Sequence, residues 1–259
     1  MKIFFTGGSG FVGREIIPLL KKNGHKVIAP SSKDLNLLDS DAVDDFVQGQ
    51  EFDTIIHSAI YGGRRCKKDD LNDYYNNIRM FENLFKYVKD VDRFINFDSG
   101  ASLFRNDLIP DTPYGFSKYT IARSVDDAPN GTNLRIYGCF GVTEQPNRFF
   151  AVNINNYIEK KPITIIKDKF MDFMYIDDIY MMVELALEGK IKDYDCVYST
   201  KYRLTDLAEM INNLDTYDVP IIMEDREMAP DYCGSYKTFD VEFVGLEEGI
   251  KRCYENYLR

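Results

Sequence analysis

A glycine-rich segment near the N-terminus constrains the fold of this chain more than any other part of the sequence. It reads Thr6-Gly7-Gly8-Ser9-Gly10-Phe11-Val12-Gly13 and follows an apolar run at Lys2–Thr6. Helical spacing of apolar residues begins directly after it and stops at Asn23-Gly24, a typical end of a helix. The glycines at positions 8, 10 and 13 match G-x-G-x-x-G between a strand and a helix. This context predicts a turn that holds the pyrophosphate of a dinucleotide at a helix N-terminus, and the alternative is a structural turn without a ligand.

Strand and helix patterns alternate along the first part of the chain. Further strands are expected at Lys26–Ala29, Asp53–Ala59, Arg93–Asp98 and Thr132–Tyr137, and helices at Asp41–Gln48, Asn72–Lys89 and Tyr114–Asp127. This alternation predicts an α/β fold, a doubly wound parallel sheet, with a dinucleotide-binding domain over residues 1–145.

The pattern loosens after about residue 145. Helices are expected near 148–160, 176–188, 205–214 and 246–257, and short strands near 163–166, 195–199 and 219–223. We therefore expect residues 146–259 to form mainly a smaller substrate-binding lobe, with part of 170–200 returning to the first domain.

Composition excludes several classes of function. The 259 residues carry a formal net charge of −10, and such a surface disfavours nucleic-acid binding, which needs clustered lysine and arginine. No apolar stretch is long enough for a membrane span and the N-terminus has no secretory pattern, so a cytoplasmic protein is expected. Five cysteines without a C-x-x-C pair, together with only two histidines, argue against a metal site.

The end of the second predicted strand bears on which dinucleotide is bound. Enzymes that use NAD usually place an acidic residue there, which binds the ribose hydroxyls. Here Ser31, Ser32 and Lys33 follow Pro30, and Asp34 comes only after them. Hydroxyls and a lysine, with Arg14 early in the first helix, favour a 2′-phosphate, so NADP(H) is predicted over NAD(H). The alternative is that both cations are only solvated surface charges.

A tyrosine and a lysine lie four residues apart at the start of a predicted helix, in Tyr114-Gly115-Phe116-Ser117-Lys118. This spacing puts the two side chains on one face of the helix. A neighbouring ammonium favours ionisation of a phenol and brings its pKa into a range useful for proton transfer. Ser99 comes just after a predicted strand, at a carboxyl end where ligands collect in such sheets. Ser99, Tyr114 and Lys118 are therefore the predicted catalytic residues.

At this point the chain resembles the extended short-chain dehydrogenase/reductase family, which includes NAD-dependent epimerases, dehydratases and reductases of nucleotide sugars. Similarity extends over nearly the whole chain. It rests on the glycine loop, the Ser–Tyr–Lys set, and the segments Asp34–Asp39, Ile56–Ala59, Leu134–Gly141 and Asp172–Asp178. Within this family the chain resembles GDP-fucose synthase and the small 4-keto-sugar reductases.

The resemblance also implies which residues contact ligands. Cofactor contacts are implied for Thr6, Gly7, Gly10, Phe11, Val12, Gly13, Asn36, Leu37, Ser58, Ala59, Ile60 and Asn77, besides Tyr114 and Lys118. Substrate contacts are implied for Gly62, Arg64, Ser99, Gly100, Ala101 and Arg148. For the two arginines the alternatives are a solvated cationic loop and a surface cation at a helix end. His57 is expected to order a strand end rather than to perform chemistry.

Departures from the family pattern narrow the reaction. Dehydratases carry an Asp-Glu pair after the catalytic hydroxyl, whereas Gly100-Ala101 follow Ser99. GDP-fucose synthase epimerises with a cysteine and a histidine, which correspond here to Ala101 and to a position near Arg148. Reactions that need only Tyr, Lys, Ser and a nicotinamide remain, namely ketone reduction, alcohol oxidation or epimerisation at C4.

The sequence therefore predicts an NADP(H)-dependent reductase of a nucleotide-activated 4-keto (deoxy) sugar, in which Tyr114 donates the proton. One alternative is an NAD-dependent C4 epimerase of nucleotide sugars. An alternative of another class is a non-catalytic dinucleotide-binding regulatory protein. A homodimer is compatible with the family, while the sugar, the nucleotide and the stereochemistry stay open.

Overall fold

The chain forms two compact units in a computed structural model that describes residues 1–63, 68–103, 110–238 and 241–259. The first unit comprises residues 1–136 and 182–194, and the second comprises residues 137–181 and 195–259. The first unit thus contains the glycine loop and all three predicted catalytic residues.

The strands and helices alternate as the sequence predicts. The strands are β1 (Lys2–Thr6), β2 (Lys26–Ile28), β3 (Thr54–His57), β4 (Arg93–Ser99), β5 (Gly131–Ile136), β6 (Cys139–Phe140), β7 (Ile163–Lys167), β8 (Met174–Tyr175), β9 (Asp193–Cys196) and β10 (Ile221–Asp225). The helices are α1 (Phe11–Lys22), α2 (Ser40–Gln48), α3 (Leu71–Phe85), α4 (Pro113–Asp127), α5 (Phe149–Ile158), α6 (Ile176–Leu187), α7 (Leu204–Asn212) and α8 (Leu246–Tyr257).

A six-stranded sheet in the order β2-β1-β3-β4-β5-β9 positions the candidate site. The pairs β1–β2, β1–β3, β3–β4 and β4–β5 are parallel. After β1 the chain passes first to β2 on one side and later to β3 on the other. Such a reversal of strand order opens a crevice at the carboxyl ends of the strands, where ligands bind in sheets of this kind. Thr6 and His57, which are paired in register, end the two strands at this place. The predicted fold class is confirmed.

The core of the first unit explains why its strands are continuous apolar runs. Ile3, Phe4 and Phe5 on β1 are fully buried, as are Ile55 and Ile56 on β3. Successive side chains of a strand point to opposite faces, so burial of neighbours means that helices cover both faces of the sheet.

One helix is shorter than its sequence pattern predicts. The expected helix over 72–89 ends at Phe85, and a separate 3-10 turn covers Val88–Asp90. Tyr87, between the two, donates its hydroxyl to Asp44 on α2. This contact with another helix depends on tertiary packing, which periodicity alone does not reveal. The expected helix over 246–257 has the predicted bounds.

The second unit contains two small parallel sheets, β6–β8 and β7–β10. Buried carboxylates hold its loops in place. Asp172 accepts hydrogen bonds from Lys201 Nζ at 2.6 Å and from the Gly234 backbone N–H at 2.7 Å. Asp195 accepts a bond from the Ser235 N–H at 2.7 Å. In the described part of both units, no helix has the length and apolar character needed to cross a membrane.

Candidate active site

The loop between β1 and α1 can be built only with glycine at two positions. Gly7 has φ of +74°, and a Cβ there would lie 2.7 Å from the backbone nitrogen of Ala59. A Cβ on Gly13 would lie 2.6 Å from the Cα of Gly8. Real Cβ atoms do not approach other atoms this closely. The first turn of α1 can therefore pack directly on the loop only because position 13 has no side chain.

The start of α1 has the properties of an anion site. Gly10 precedes the first helical residue, no side chain caps the helix, and no acidic residue lies in its first turn. A Cβ on Gly10 would meet only the carbonyl oxygen of Gly7, at 3.2 Å, so the space beyond Gly10 is open. Backbone N–H groups of Phe11 and Val12 begin this helix, and such groups bind phosphate well. The loop therefore fits the pyrophosphate of a dinucleotide.

Thr6 joins the ends of β1 and β3. Its hydroxyl lies 3.0 Å from His57 Nδ1 and accepts hydrogen bonds from the N–H groups of Ser58 and Ala59, at 3.2 and 3.3 Å. Because the hydroxyl oxygen accepts twice, its proton is available to His57 Nδ1. Burial, and secondarily the charge of Lys118, lower the pKa of His57 to about 3. His57 is therefore neutral and orders the strand end.

The turn after β2 brings an acid next to the predicted 2′-phosphate residues. Ser31 donates its hydroxyl to Asp34 Oδ2 at 2.6 Å, and its backbone N–H donates to the same oxygen at 3.2 Å. These bonds lower the pKa of Asp34 below its usual value. Ser32 and Lys33, between them, are exposed. The Asp34 carboxylate, four positions after Pro30 in the sequence, thus folds back onto Ser31.

The turn that continues past Asp34 holds the two residues expected near the adenine. The side chain of Asn36 accepts the N–H of Leu38 at 3.1 Å. The carbonyl of Leu37 accepts a bond at 2.9 Å from Asn83 on α3. Both residues therefore belong to one hydrogen-bonded turn of the first unit.

Helix α4 presents Tyr114 and Lys118 at its start. Thr112 caps the helix by accepting the N–H of Gly115 at 3.0 Å, and Pro113 occupies the first helical position. Lys118 is only 4% exposed, and its ammonium donates to the carbonyl of Phe97 on β4 at 2.5 Å. Burial lowers the pKa of Lys118 to about 8, against the opposing effect of the Asp98 charge.

Ser99 ends β4 beside this helix. Its hydroxyl accepts the N–H of Ala101 at 3.2 Å and thereby begins a 3-10 turn over Gly100–Ser102. A Cβ on Gly115 would lie 2.8 Å from the Ala101 carbonyl, which shows how closely α4 approaches that turn. The structure thus brings the segments that carry Ser99, Tyr114 and Lys118 together at the carboxyl end of β4.

A two-glycine turn lies against the tyrosine ring. Gly62 and Gly63 have φ of +80° and +66°, and a Cβ on Gly63 would lie 2.8 Å from Tyr114 Cε2. Asp69 fixes the turn by accepting the Gly63 N–H at 2.8 Å. Ile60 comes just before the turn and is exposed. Any larger residue at position 63 would displace the phenol.

Asn77 supports that turn from α3. Its side chain accepts the N–H of Tyr61 at 2.7 Å and donates to the Tyr61 carbonyl at 3.0 Å. It also donates at 3.0 Å to Ser117, which donates to the carbonyl of Tyr114 at 2.7 Å. In this structure Asn77 connects the glycine turn with α4.

Sequence reasoning missed a buried charged group directly behind the site. The side chain of Asp98 is fully buried, and its Oδ2 accepts bonds from Ser102 Oγ at 2.7 Å and from Arg135 Nε at 2.8 Å. Arg135 also donates to Asp193 at 2.8 Å. The signal in the sequence is an acid between the apolar residue Phe97 and Ser99 at the end of one strand, followed by an arginine in the next strand.

Neither predicted substrate arginine is among the described residues of the first unit. Arg64 lies outside the described residues. Arg148 is exposed in the second unit, where it immediately precedes α5. A cavity of about 510 Å³ in the second unit, between residues 198–202 and the start of α8, includes none of the predicted site residues.

The comparison with protein families decides the classification. The family model for the NAD dependent epimerase/dehydratase family matches residues 3–196. The chain belongs to this family. The match covers the glycine loop, the Ser–Tyr–Lys set and the whole six-stranded sheet, so the resemblance drawn from the motifs is confirmed.

Similar proteins agree with this membership. The chain is 25% identical over 265 residues to CDP-abequose synthase from Yersinia pseudotuberculosis, covering 90% of this chain and 92% of that protein. It superposes on a UDP-glucose 4-epimerase from Thermotoga maritima with a TM-score of 0.79, at 21% identity, covering 100% and 99% of the chains. It also superposes on the NADP-bound structure of a GDP-mannoheptose C4 reductase from Campylobacter jejuni. The TM-score is 0.77 at 16% identity, covering 100% of this chain and 98% of that chain. The two structures show the shared fold.

Membership also settles the class of protein. The chain is an enzyme of the NAD dependent epimerase/dehydratase family, which confirms the predicted nicotinamide-dependent oxidoreductase or epimerase of nucleotide sugars at the level of the family. The glycine loop and the open start of α1 suit the dinucleotide that such an enzyme needs.

Proposed function

We propose that the protein is an NADP(H)-dependent reductase of a nucleotide-activated 4-keto sugar. When bound, the cofactor would supply the hydride that reduces the ketone at C4. The loop over Thr6–Gly13 would hold its pyrophosphate, and the turn over Ser31–Lys33 would hold its 2′-phosphate. Lys118 would bind the nicotinamide ribose. Each of these segments lies at the carboxyl end of β1, β2 or β4 in the first unit.

Tyr114 would donate the proton in this reaction. As the ketone is reduced, its oxygen becomes an alkoxide, which takes the phenol proton, and the tyrosinate later regains a proton from solvent. Lys118, one helical turn away, would stabilise the transient tyrosinate by its positive charge. Ser99 would donate a hydrogen bond to the same substrate oxygen and so stabilise its developing charge.

The observation that carries the proposal is the burial of Lys118. Burying an ammonium is costly unless it is hydrogen-bonded, and this one is held on the carbonyl of Phe97, two residues before Ser99. A lysine fixed in this way, one turn after Tyr114, has the arrangement that proton transfer needs.

The reaction type is supported by what surrounds Ser99. Gly100 and Ala101 form the turn after it, and neither can act as an acid or base. Elimination of water and epimerisation through a carbon acid both need such a group at this place. The similar structures include both a GDP-mannoheptose C4 reductase and a UDP-glucose 4-epimerase, so the support for reduction comes from the residues after Ser99.

A C4 epimerase is the second candidate, and one observation favours it. The Asp34 carboxylate is bonded to Ser31 at the end of β2, where an acid commonly binds the ribose hydroxyls of NAD. An epimerase of this kind oxidises and reduces the same carbon and therefore keeps its NAD⁺ bound.

A direct assay separates the two candidates. One sample of the purified protein is denatured, and the released nicotinamide cofactor is analysed for a 2′-phosphate. A second, folded sample is incubated with NADPH or NADH and a panel of GDP-, CDP-, UDP- and dTDP-4-keto sugars, and nicotinamide absorbance is followed. We expect oxidation of NADPH with at least one sugar. Tightly retained NAD⁺ and interconversion of 4-hydroxy sugars without net oxidation would instead identify the epimerase.

A further inference from the structure

The Asp98 carboxylate lies in the interior of the first unit, immediately before Ser99. Its side chain is fully buried, and its Oδ1 has no hydrogen-bond partner among the described residues. A buried carboxylate is costly unless neighbouring cations stabilise it. Arg135 on β5 donates to Oδ2, at 2.8 Å. A second cation at longer range would further stabilise this carboxylate.

Lys118 is the second buried cation close to this carboxylate. Its ammonium is held on the carbonyl of Phe97, the residue directly before Asp98. Two titratable groups interact electrostatically with this ammonium, Asp98 on β4 and the neutral His57 on β3, and Arg135 on β5 contacts Asp98. Among these, Asp98 is the carboxylate that can offset the burial of the ammonium.

We propose that Asp98 is a positioning residue of the proposed reaction: its buried carboxylate is the counter-ion that keeps Lys118 charged beside Phe97, so that Lys118 can act on Tyr114. The catalytic meaning of this role rests on the proposed function, whereas the charge interaction itself does not. Arg135 and Ser102 hold the carboxylate in place through Oδ2, and Asp193 holds the outer side of Arg135.

The electrostatic interaction between Lys118 and Asp98 fits this role. Burial lowers the pKa of Lys118, and Asp98 raises it, with a net value of about 8. Burial raises the pKa of Asp98 above its usual value, and this effect is opposed first by Arg135, then by Lys118, and then by hydrogen bonds from Ser102 and the Ser99 N–H. Without Asp98, only the unfavourable effect of burial would remain on Lys118, and the ammonium would lose its proton at a lower pH. Lys118 would then be partly neutral in the range where the enzyme works.

The test measures the protonation of Lys118 directly and needs no substrate. The full chain is labelled with [13Cε]lysine, and the Lys118 signal is assigned by its absence in Lys118→Met. An NMR titration should show that the pKa of Lys118 is lower by about one pH unit or more in Asp98→Asn than in the wild type, as expected for loss of an opposite charge close by. An unchanged pKa would overturn the proposal.

Asp193→Asn is the matched control. It removes a carboxylate from the same arginine, but one that is 44% exposed and outside the set of groups around Lys118, so the Lys118 titration should not move. An equal shift in Asp193→Asn would also overturn the proposal, because the effect would then come from disturbance of Arg135.

Asp98→Asn leaves Arg135 without its inner partner, and such a variant can fail to fold. A second comparison avoids this problem, because neither of its variants contains Arg135. It compares Arg135→Gln with the double variant Asp98→Asn/Arg135→Gln, which differs from it only at position 98. The pKa of Lys118 should be lower in the double variant, and equal values would contradict the proposal.

Turnover against the sugar panel gives the second measurement. In Asp98→Asn the fall of turnover at alkaline pH should begin at a lower pH than in the wild type. A shifted Lys118 titration in a protein that reduces no panel member would support the counter-ion role and count against the proposed reductase, so the two failures are distinguishable.

Discussion

The side chain of Asn77 closes a pair of hydrogen bonds with the backbone of Tyr61. Its amide oxygen accepts the Tyr61 N–H at 2.7 Å, and its amide nitrogen donates to the Tyr61 carbonyl at 3.0 Å. Asn77 is fully buried, whereas Tyr61 is 42% exposed, so the two bonds tie an exposed residue to the interior of the first unit. The glycine turn that contacts the Tyr114 ring begins at the next residue, and α3 therefore sets the position of that turn.

We expect Asn77→Ala to destabilise the protein by roughly 1–3 kcal/mol, because the hydrogen bonds of the Asn77 amide with Tyr61 and Ser117 are lost. The free energy of unfolding is measured with urea. Asn83→Ala is the matched control on the same helix, since its side chain makes one bond, to the Leu37 carbonyl. At saturating NADPH the variant at 77 should also lower turnover, whereas the control, which contacts the turn expected near the adenine, should not. Equal effects of both variants on turnover would show that the link from α3 to the glycine turn has no role.

Gly10 and Gly13 should fail in different ways when substituted. A Cβ at Gly13 would collide with the Gly8 backbone at 2.6 Å, so Gly13→Ala should destabilise the protein even though alanine is favoured over glycine in helices by about 1 kcal/mol. A side chain at Gly10 meets little protein but enters the space expected for the pyrophosphate. Gly10→Val should therefore cost less thermal stability than Gly13→Ala while weakening NADPH binding at least about tenfold, or about 1.4 kcal/mol.

Calorimetric titration with NADPH and thermal unfolding of both variants check this pair of outcomes. Gly24→Ala is a useful control, because a Cβ there meets no atom within 4 Å and lies at the far end of α1, although its φ of +87° strains any substitution. It should cost some stability without changing affinity. Unchanged NADPH affinity in Gly10→Val would remove the loop from the cofactor site.

Local sequence patterns were sufficient for the sheet, the glycine loop and the helix that carries Tyr114 and Lys118. Strand runs such as Lys2–Thr6 are apolar because both faces of the sheet are covered, and this is visible without coordinates. The pairing of Asp98 with Arg135 could not be predicted from the sequence, because it depends on the register of β4 against β5. Likewise, Asp34 is four residues from Pro30 in the sequence, and only the turn shows its carboxylate on Ser31.

The turn after β2 allows a test of cofactor preference. We expect tighter binding of NADPH than of NADH by the wild type, and a reduced preference in Lys33→Glu, because a negative charge would replace a positive one near the 2′-phosphate. Asp34→Asn should have the opposite effect, since it removes a carboxylate that repels this phosphate. Dissociation constants for both cofactors are measured by calorimetry at fixed salt. Tighter NADH binding by the wild type, unaffected by Lys33→Glu, would contradict the NADP(H) assignment.

Burial of His57 predicts a loss of stability in acid. Its pKa in the folded state is about 3, well below the usual value of about 6.5. Between these values the unfolded chain binds a proton that the folded protein does not, so the free energy of unfolding falls as the pH is lowered through this window. The slope that His57 contributes is at most about 1.4 kcal/mol per pH unit.

Urea unfolding of the wild type and of His57→Gln between pH 7 and pH 5 isolates this contribution. Glutamine does not titrate, so the stability of the variant should fall less steeply with decreasing pH, whatever its stability at pH 7. Parallel curves for the two proteins would mean that His57 takes up a proton in the folded state, contrary to its burial beside Lys118.

Substitutions of the three predicted catalytic residues should follow a fixed order. Tyr114→Phe should lower turnover by about 10²–10⁴-fold while keeping cofactor affinity, because it removes the proton donor and little else. Lys118→Met should lower both turnover and cofactor affinity, since the ammonium serves the ribose as well as the phenol. Ser99→Ala should cost less than Tyr114→Phe, because it removes one hydrogen bond to the reacting oxygen and leaves the proton donor in place.

The order is measured as hydride transfer to a 4-keto sugar that the wild type accepts, with cofactor affinity determined separately by calorimetry. Phe116→Leu is the control on the same helix, since this side chain is 38% exposed and stacks on Tyr74 at a ring separation of 5.3 Å. Near wild-type turnover in Tyr114→Phe would remove the phenol as proton donor. A loss in Ser99→Ala as large as that in Tyr114→Phe would mean that Ser99 does more than donate one hydrogen bond, and the roles of the two residues would have to be exchanged.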